Sequence, residues 1–247
     1  MKKNNFPKVS RREFTHGLLL SGLALATGLF NGTSTAQTSN PLRIGIIGSG
    51  RMGGAVGLRW AEAGHTVFFS SRNPDQLDEL VQQAGNNAQA GFPAEAAAFG
   101  DVILIAVPYG ALPQIGEDYG AQMAGKIVID CGNPRADRDG PMADDAIARG
   151  TGIAGADHLP GTRLVRALNA ISFMHVNQQA HREGELIGVP IAGDDPEAVR
   201  IATQLVSDAG FDPVVVGGLD SARRFDRGTE VYVRGLTARE IRDALNL

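Results

Sequence analysis

Residues 41–54 of this 247-residue sequence read Pro-Leu-Arg-Ile-Gly-Ile-Ile-Gly-Ser-Gly-Arg-Met-Gly-Gly. The apolar run at 42–47 is typical of a buried parallel strand. It leads directly into Gly48-x-Gly50-x-x-Gly53, and the residues at about 51–63 place Met52, Val56 and Trp60 at helical spacing. A strand, a turn with three spaced glycines and a helix together predict a dinucleotide-binding site.

The three glycines have separate roles in such a site. Gly48 allows a tight turn, Gly50 lets the backbone approach a pyrophosphate, and Gly53 lets the helix pack closely on the strand. The helix that follows directs unpaired N–H groups and the positive end of its dipole toward the pyrophosphate. The alternative is a glycine-rich turn that binds nothing.

A second strand is predicted at 65–70, and the residues after it favour NADP over NAD. An NAD site usually has an acidic residue here that binds the ribose 2′-hydroxyl. This chain has Ser71 and Arg72 instead, a hydroxyl and a guanidinium suited to a 2′-phosphate. The alternative is that Arg72 lies in a solvated turn before the next helix.

Apolar runs predict further strands at 87–91, 101–107, 126–130, 163–168, 189–192 and 213–216, and helical patterns lie between or after them at 74–84, 93–99, 112–123, 196–209 and 237–245. This alternation predicts an α/β fold, a Rossmann-type doubly wound parallel sheet with a small α/β C-terminal extension at about 185–247. The polar stretch at 135–152 is predicted to be a mobile loop with one helix near 142–148.

Ligands of an open parallel sheet lie at the carboxyl ends of the strands. Val107, Pro108 and Tyr109 should therefore border the cofactor, although Tyr109 could equally be a packing residue. Asn133 follows a later strand and could meet the nicotinamide or the substrate. Residues 169–172, Asn-Ala-Ile-Ser, follow another.

Few side chains near these strand ends could transfer a proton. Lys126 lies at the amino end of its strand, and Cys131 is expected to be a buried strand-end residue rather than a nucleophile. His175 is the only histidine placed to act as an acid or base. Hydride transfer between two cofactor rings fits this scarcity, because the cofactors carry the chemistry and the protein orients them.

The first 36 residues have the pattern of an export signal. A basic start is followed by an uncharged run at 17–30, and Ser34-Thr35-Ala36 predicts cleavage after Ala36. Residues 10–14, Ser-Arg-Arg-Glu-Phe, resemble the twin-arginine signal, although Thr15 and His16 depart from it. We therefore expect the twin-arginine machinery to export a folded, periplasmic protein. The alternative is a chance Arg-Arg pair before an uncleaved anchor.

Residues 37–247 contain 18 basic and 26 acidic side chains, a formal net charge of −8. This balance does not favour a nucleic-acid or acidic-membrane partner, and no stable membrane anchor is expected once the signal is removed. Cys131 is the only cysteine, so neither an intrachain disulfide nor a cysteine-rich metal site is expected.

Taken together, these segments resemble the NADP oxidoreductases that depend on the deazaflavin coenzyme F420, and the related cytosolic domain of six-transmembrane metalloreductases. The resemblance rests on residues 44–54, 71–74, 106–108, 130–134, 167–172, 189–195 and 217–223.

The resemblance implies a role for particular residues. Ser49, Arg51 and Met52 should flank the pyrophosphate, and Ser71 and Arg72 the 2′-phosphate. The adenosine and ribose side should meet Ala106, Val107 and Pro108. Asn169, Ile171 and Ser172 should lie where the nicotinamide meets the second redox ring, and a homodimer is possible. The archaeal deazaflavin enzymes tend to have His and Pro where this chain has Asn169 and Ser172, so the second ring could be a deazaflavin or a flavin.

We therefore expect an NADP-dependent oxidoreductase that exchanges hydride with coenzyme F420 or a flavin as its small-molecule redox partner. One alternative is an exported NADP-binding redox subunit or sensor without turnover of its own. Another is a reductase of a small imine or carbonyl, although enzymes of that kind typically add a long helical dimerisation domain, whereas the last 60 residues here are predicted to alternate strand and helix.

Overall fold

A computed structural model of the protein describes residues 40–247. The twin-arginine stretch, the expected cleavage site after Ala36 and the rest of the predicted signal lie outside the described residues. Among the described residues, no helix is both long enough and apolar enough to span a membrane.

The described chain alternates strands and helices. The strands are β1 (Arg43–Ile47), β2 (Thr66–Ser70), β3 (Ala88–Gly91), β4 (Val102–Ile105), β5 (Ile127–Asp130), β6 (Arg163–Ala167), β7 (Gly188–Gly193) and β8 (Asp212–Gly217). The helices are α1 (Arg51–Glu62), α2 (Asp78–Ala84), α3 (Pro93–Phe99), α4 (Leu112–Met123), α5 (Ala136–Asp139), α6 (Pro141–Arg149), α7 (Thr151–His158), α8 (Phe173–Gln179), α9 (Pro196–Asp208) and α10 (Ala238–Leu245). Short 3₁₀ turns occupy Pro74–Leu77, Gly85–Asn87, Tyr109–Ala111 and Leu219–Arg224.

All eight strands of the described chain join one sheet in the order β3-β2-β1-β4-β5-β6-β7-β8. Strands β1 to β6 run parallel, and the order reverses beside β1, which confirms the Rossmann-type doubly wound fold. The predicted C-terminal extension adds two more strands to this sheet. Strand β7 runs antiparallel to β6, and β8 runs parallel to β7.

Helices cover both faces of the sheet. On one face, Trp60 of α1 is fully buried, and its indole N–H donates to the carbonyl oxygen of Leu205 in α9 at 2.7 Å. On the other face, Leu112 of α4 and Ala154 of α7 pack in a second apolar cluster. The two layers hold the strands rigidly, so that the carboxyl ends of β1 to β6 form one edge of the molecule.

The prediction of a loop at 135–152 with one helix near 142–148 was right for that helix, which is α6, and wrong for the rest of the segment. Helices α5, α6 and α7 occupy this region. Gly140 and Gly150 adopt φ values of +59° and +89° at the starts of α6 and α7, so each glycine permits a sharp change of direction. The segment is polar in sequence because these short helices bury only a few small residues, such as Ala143 and Ala146, against the core. Helix α8, which follows β6, was also not predicted.

Candidate active site at the carboxyl edge of the sheet

The turn after β1 has the geometry that its glycines predicted. Gly48 adopts φ +97°, and a Cβ on Gly53 would lie only 2.2 Å from the carbonyl oxygen of Gly48. A Cβ on Gly50 would meet nothing within 4 Å. Helix α1 begins here without a side-chain cap, so its first N–H groups are free to bind an anion.

The end of β2 lies beside this turn. The backbone N–H of Ser70 donates to Ser49 Oγ at 2.8 Å, which holds the two strand ends together. Ser71 Oγ accepts a hydrogen bond from the N–H of Asn73 at 3.1 Å. Arg72 is exposed, and within the described part of the chain it makes no hydrogen bond or ion pair. A hydroxyl and an uncommitted guanidinium therefore lie where a 2′-phosphate would be expected.

A cavity of about 410 Å³, the first cavity below, opens at the carboxyl ends of β4, β5 and β6. Most of the predicted site residues line it together: Arg51, Met52, Ala106, Val107, Pro108, Asn133, Asn169 and Ile171. Ser49 and Gly50 line a separate cleft beside α1. Gly48 and Gly53 shape the turn between strand and helix, while Ser71 and Arg72 lie after β2.

The first cavity has two walls from different parts of the chain. One wall comes from the start of α1 and the ends of β4 and β5. The opposite wall comes from the residues after β6 and from the C-terminal segment, including Phe173, Arg227 and Tyr232. Arg51 links the walls, since its guanidinium carbon lies 4.9 Å from the centre of the Phe173 ring, within reach of a cation–π contact.

The side-chain oxygens of two asparagines in this cavity accept no hydrogen bond from the described residues. Asn133 Nδ2 donates to the carbonyl oxygen of Asn169 at 2.9 Å, and Asn169 Nδ2 lies 3.5 Å from the carbonyl oxygen of Phe225. The Oδ1 atoms of both side chains are buried without a hydrogen-bond partner in the described structure. Since a buried polar atom without a partner is costly, both oxygens are suited to accept from an N–H group of a bound ligand. A carboxamide such as that of nicotinamide provides such donors.

Ser172 has a structural role at the start of α8. Its hydroxyl caps this helix by accepting a hydrogen bond from the N–H of His175 at 3.2 Å, and it is not among the residues that line the first cavity. Of the two roles considered for Tyr109, the structure supports that of a packing residue, because the ring is fully buried in the core. Burial also raises the pKa of the Tyr109 phenol above its usual range.

Proton donors and acceptors are scarce around the first cavity. Its described lining includes no Asp, Glu, Lys or His side chain. Cys131 lines it, but burial raises the pKa of this thiol to about 12, and Sγ donates to the carbonyl oxygen of Ile105. His175 lies on α8 outside this lining, and burial lowers the pKa of its imidazole. Lys126 Nζ donates to the carbonyl oxygen of Ala97 at 2.7 Å, near the amino end of β5.

A buried ion pair lies next to the site, near the carboxyl ends of β5 and β6. Arg166 of β6 and Asp130 of β5 are both fully buried and hydrogen-bonded to each other. Arg166 also donates to the carbonyl oxygen of Gly132 at 2.7 Å, and its Nη2 lies 3.8 Å from Asp226 Oδ1. Burial raises the pKa of Asp130, while Arg166 and the N–H of Gly132 oppose that rise. The pair thus fixes the end of β5, which carries Asn133.

Several residues of the site were missed by the sequence analysis. Arg135, Arg138, Phe173, Arg227 and Tyr232 all line the first cavity. Phe173 directly follows residues 169–172, which were predicted to lie at the site. Its position in the sequence is therefore the only feature that could have indicated its role. Arg227 and Tyr232 lie far along the chain in a segment without strong periodicity, and only the tertiary structure brings them to the strand ends.

Comparisons with known proteins show what the chain is similar to. Residues 43–134 match the family model described as NADP oxidoreductase, coenzyme F420-dependent. Metalloreductase STEAP3 of Rattus norvegicus is 30% identical over 187 residues, which cover 74% of this chain and 36% of the rat protein. The F420-dependent NADP reductase of Methanothermobacter thermautotrophicus is 26% identical over 220 residues, covering 82% of this chain and 93% of that protein.

Among solved structures, a hypothetical protein from Sinorhizobium meliloti is 25% identical with a TM-score of 0.67, and the match covers 80% of this chain and 94% of that chain. A structure described as a putative F420-dependent NADP reductase from Arthrobacter sp. FB24 is 22% identical with a TM-score of 0.62, covering 74% of this chain and 87% of that chain, and it supports the fold alone. Residues 43–134 thus match the family model of the coenzyme F420-dependent NADP oxidoreductases, and the chain is similar to NADP-dependent oxidoreductases.

Proposed function

We propose that this protein transfers hydride between NADP(H) and the ring of a deazaflavin, coenzyme F420, or of a flavin. The observation that carries the proposal is the first cavity, which combines two unpartnered carboxamide oxygens with a lining poor in acids and bases. NADP(H) supplies the hydride. The residues of the chain bind and orient the two rings.

The residues have distinct tasks in this proposal. The free N–H groups at the start of α1 bind the pyrophosphate, and Ser71 and Arg72 bind the 2′-phosphate. Asn133 Oδ1 and Asn169 Oδ1 accept hydrogen bonds from substituents of the bound rings. These bonds fix which face of the nicotinamide ring meets the acceptor ring. Ile171 and Phe173 give the contact an apolar boundary that excludes water.

The test is oxidation of NADPH by the purified protein, followed by absorbance with oxidised coenzyme F420, riboflavin phosphate or no acceptor. We expect rapid loss of NADPH only with a ring acceptor. Asn169→Ala should lower kcat/KM by about tenfold, because one oriented hydrogen bond is lost. Asn246→Ala, at the left-handed residue that ends α10, is the matched control and should leave kcat/KM unchanged. No turnover with either acceptor would contradict the proposal.

A second candidate is reduction of a small imine or carbonyl. The specific observation in its favour is Tyr232, whose phenol lines the first cavity and could donate a proton to a substrate nitrogen or oxygen. Tyr232→Phe would abolish reduction of such a substrate but leave hydride transfer between rings largely intact.

A third candidate is an exported NADP-binding subunit without turnover. Tight NADPH binding with no oxidation by any acceptor would favour it.

We also propose that residues 1–36 are a twin-arginine signal and that the mature protein is periplasmic. The support is the Ser-Arg-Arg-Glu-Phe stretch before an uncharged run and the small residues that end at Ala36. Replacing Arg11 and Arg12 with Lys should leave the precursor in the cytoplasm. Unchanged export of the double variant would contradict this assignment.

A further inference from the structure

A second cavity, of about 650 Å³, adjoins the first. Arg135 and Arg227 line both cavities, so the two cavities lie next to each other. The second cavity is further bounded by Arg223, Thr151 and Thr229. None of its lining residues comes from the glycine turn or from α1, so it lies beyond the part of the site that binds the pyrophosphate.

The lining of the second cavity contains three arginines and two aspartates and so has a net positive charge, although residues 37–247 carry a formal net charge of −8. Arg135 is paired with Asp137, and the Asp226 carboxylate accepts from both the N–H and the hydroxyl of Thr151. Arg223 donates only to a carbonyl oxygen, that of Arg149, at 2.8 Å. Arg227 is exposed and makes no hydrogen bond or ion pair within the described residues. Two guanidinium charges therefore remain without a carboxylate bound to them.

The same cavity also contains an unused hydroxyl. Thr229 Oγ1 is buried and has no hydrogen-bond partner in the described structure. Thr229 therefore places a hydroxyl that could donate in the same cavity as two guanidinium groups that no carboxylate binds directly, a combination suited to a phosphate or carboxylate oxygen.

We propose that the second cavity binds the anionic tail of the redox acceptor whose ring lies in the first cavity, with Arg227 and Arg223 as the principal contacts. This inference rests on the proposed function for the identity of the ligand. The tail is recognised by its phosphate or carboxylate groups. Riboflavin phosphate offers the first, and coenzyme F420 offers a phosphodiester followed by carboxylates.

The test compares acceptors with the same ring but with and without a tail, in the presence of saturating NADP⁺. Dissociation constants are measured by fluorescence for riboflavin against riboflavin phosphate, and for coenzyme F420 against its chromophore without the tail. We expect the wild type to bind at least one tailed form about tenfold more tightly, and high salt to reduce that preference. A preference in the riboflavin pair would show that a phosphate group suffices, whereas a preference in the coenzyme F420 pair alone would show that the longer tail with its carboxylates is required.

Arg227→Gln is expected to remove this preference, measured as the ratio of the dissociation constants of the tail-free and the tailed acceptor, whatever the variant does to the affinity for the ring itself. Arg234→Gln is the matched control, because Arg234 is also exposed and unpaired within residues 40–247 but lines neither cavity. It should retain the full preference.

Equal binding of tailed and tail-free rings by the wild type would overturn the inference, as would equal losses in Arg227→Gln and Arg234→Gln. Tail-dependent binding without NADPH oxidation would support this subsite and contradict the proposed hydride transfer. NADPH oxidation by an acceptor whose affinity does not depend on the tail would support the proposed hydride transfer and contradict this subsite.

Discussion

Arg72 is the residue on which the choice between the two nicotinamide cofactors is expected to depend. Its guanidinium follows β2 without a partner in the described part of the chain, beside Ser71 and the glycine turn. Arg72→Ala should weaken NADPH binding by about tenfold or more, because a charge-assisted hydrogen bond to the 2′-phosphate is lost. NADH binding should change little. Titration of both cofactors by fluorescence checks this, with Arg234→Ala as the control.

Equal losses for NADPH and NADH in the Arg72 variant would contradict the 2′-phosphate role. A strong loss in the Arg234 variant would instead point to a general effect of surface charge.

At the residue scale, positions tied to a local pattern could be predicted, and positions tied to long-range packing could not. Gly48, Asn133 and Asn169 each lie directly after a recognisable strand, so the sequence alone placed them at the carboxyl edge. Arg166 could not be found in this way. It lies inside a strand, where an arginine ordinarily suggests a solvent-exposed position, and only the buried Asp130 on the neighbouring strand explains it.

At the scale of elements, two glycines at the start of α1 allow the effect of a substitution on packing to be measured separately from its effect on ligand binding. Gly53→Ala should lower the free energy of unfolding by about 1–3 kcal/mol, because its Cβ would lie 2.2 Å from the Gly48 carbonyl oxygen. Gly50→Ala places its Cβ in open space, so stability should change little while NADPH binding weakens. Urea unfolding and cofactor titration of both variants test this pair. Equal destabilisation of the two would be inconsistent with it.

Helix α9 begins at a carboxylate with two roles. The Asp195 carboxylate forms an ion pair with Arg163 and accepts a hydrogen bond from the N–H of Ala198. These contacts lower the pKa of Asp195 to about 2. The pKa in the folded state is below the usual value of about 3.9, so the stabilisation is present above about pH 4 and is lost as the pH falls toward 2.

Asp195→Asn retains a capping oxygen but removes the charge. The wild type should therefore be more stable than this variant at pH 7, and the difference should disappear between about pH 4 and pH 2. Urea unfolding of both proteins across this range measures it. Asp195→Ala, which also removes the cap, is expected to remain less stable at both ends. A difference between wild type and Asp195→Asn that does not vary with pH would argue against the ion pair.

Most strands and helices could be predicted, including short ones such as α3 and α6, but α5, α7 and α8 could not. Strands β1, β4 and β5 are continuous apolar runs, and α9 has a capping Asp before its proline, so local patterns sufficed. Helices α5 and α7 contain four and eight residues, too few for a clear periodic signal. The start of α7 depends on the positive φ of Gly150, which a sequence pattern alone does not reveal.

At the scale of the whole molecule, the buried pair of Arg166 and Asp130 joins the middle of the sheet to the C-terminal segment through Asp226. Arg166→Met should cost about 3–5 kcal/mol of unfolding free energy, because Asp130 would remain buried without its partner. The double variant Arg166→Met, Asp130→Leu should recover much of that loss.

Arg163→Met is the matched control on the same strand, since its ion pair with Asp195 is partly exposed, and its loss should be much smaller. Urea unfolding of the four proteins tests the comparison. A double variant as unstable as Arg166→Met would show that the cost arises from packing rather than from an uncompensated charge.

The two walls of the first cavity have a consequence for how such proteins diversify. Apart from Arg135 and Arg138, the residues that line the first cavity either precede residue 135, within the segment matched by the family model, or follow β6. A genetic crossover within the region that encodes residues 139–162 would therefore leave each of these two sets intact. On the proposed function, chimeric genes built there would join one nucleotide-binding half to a different acceptor-binding half and so offer a direct route to new pairs of reactants.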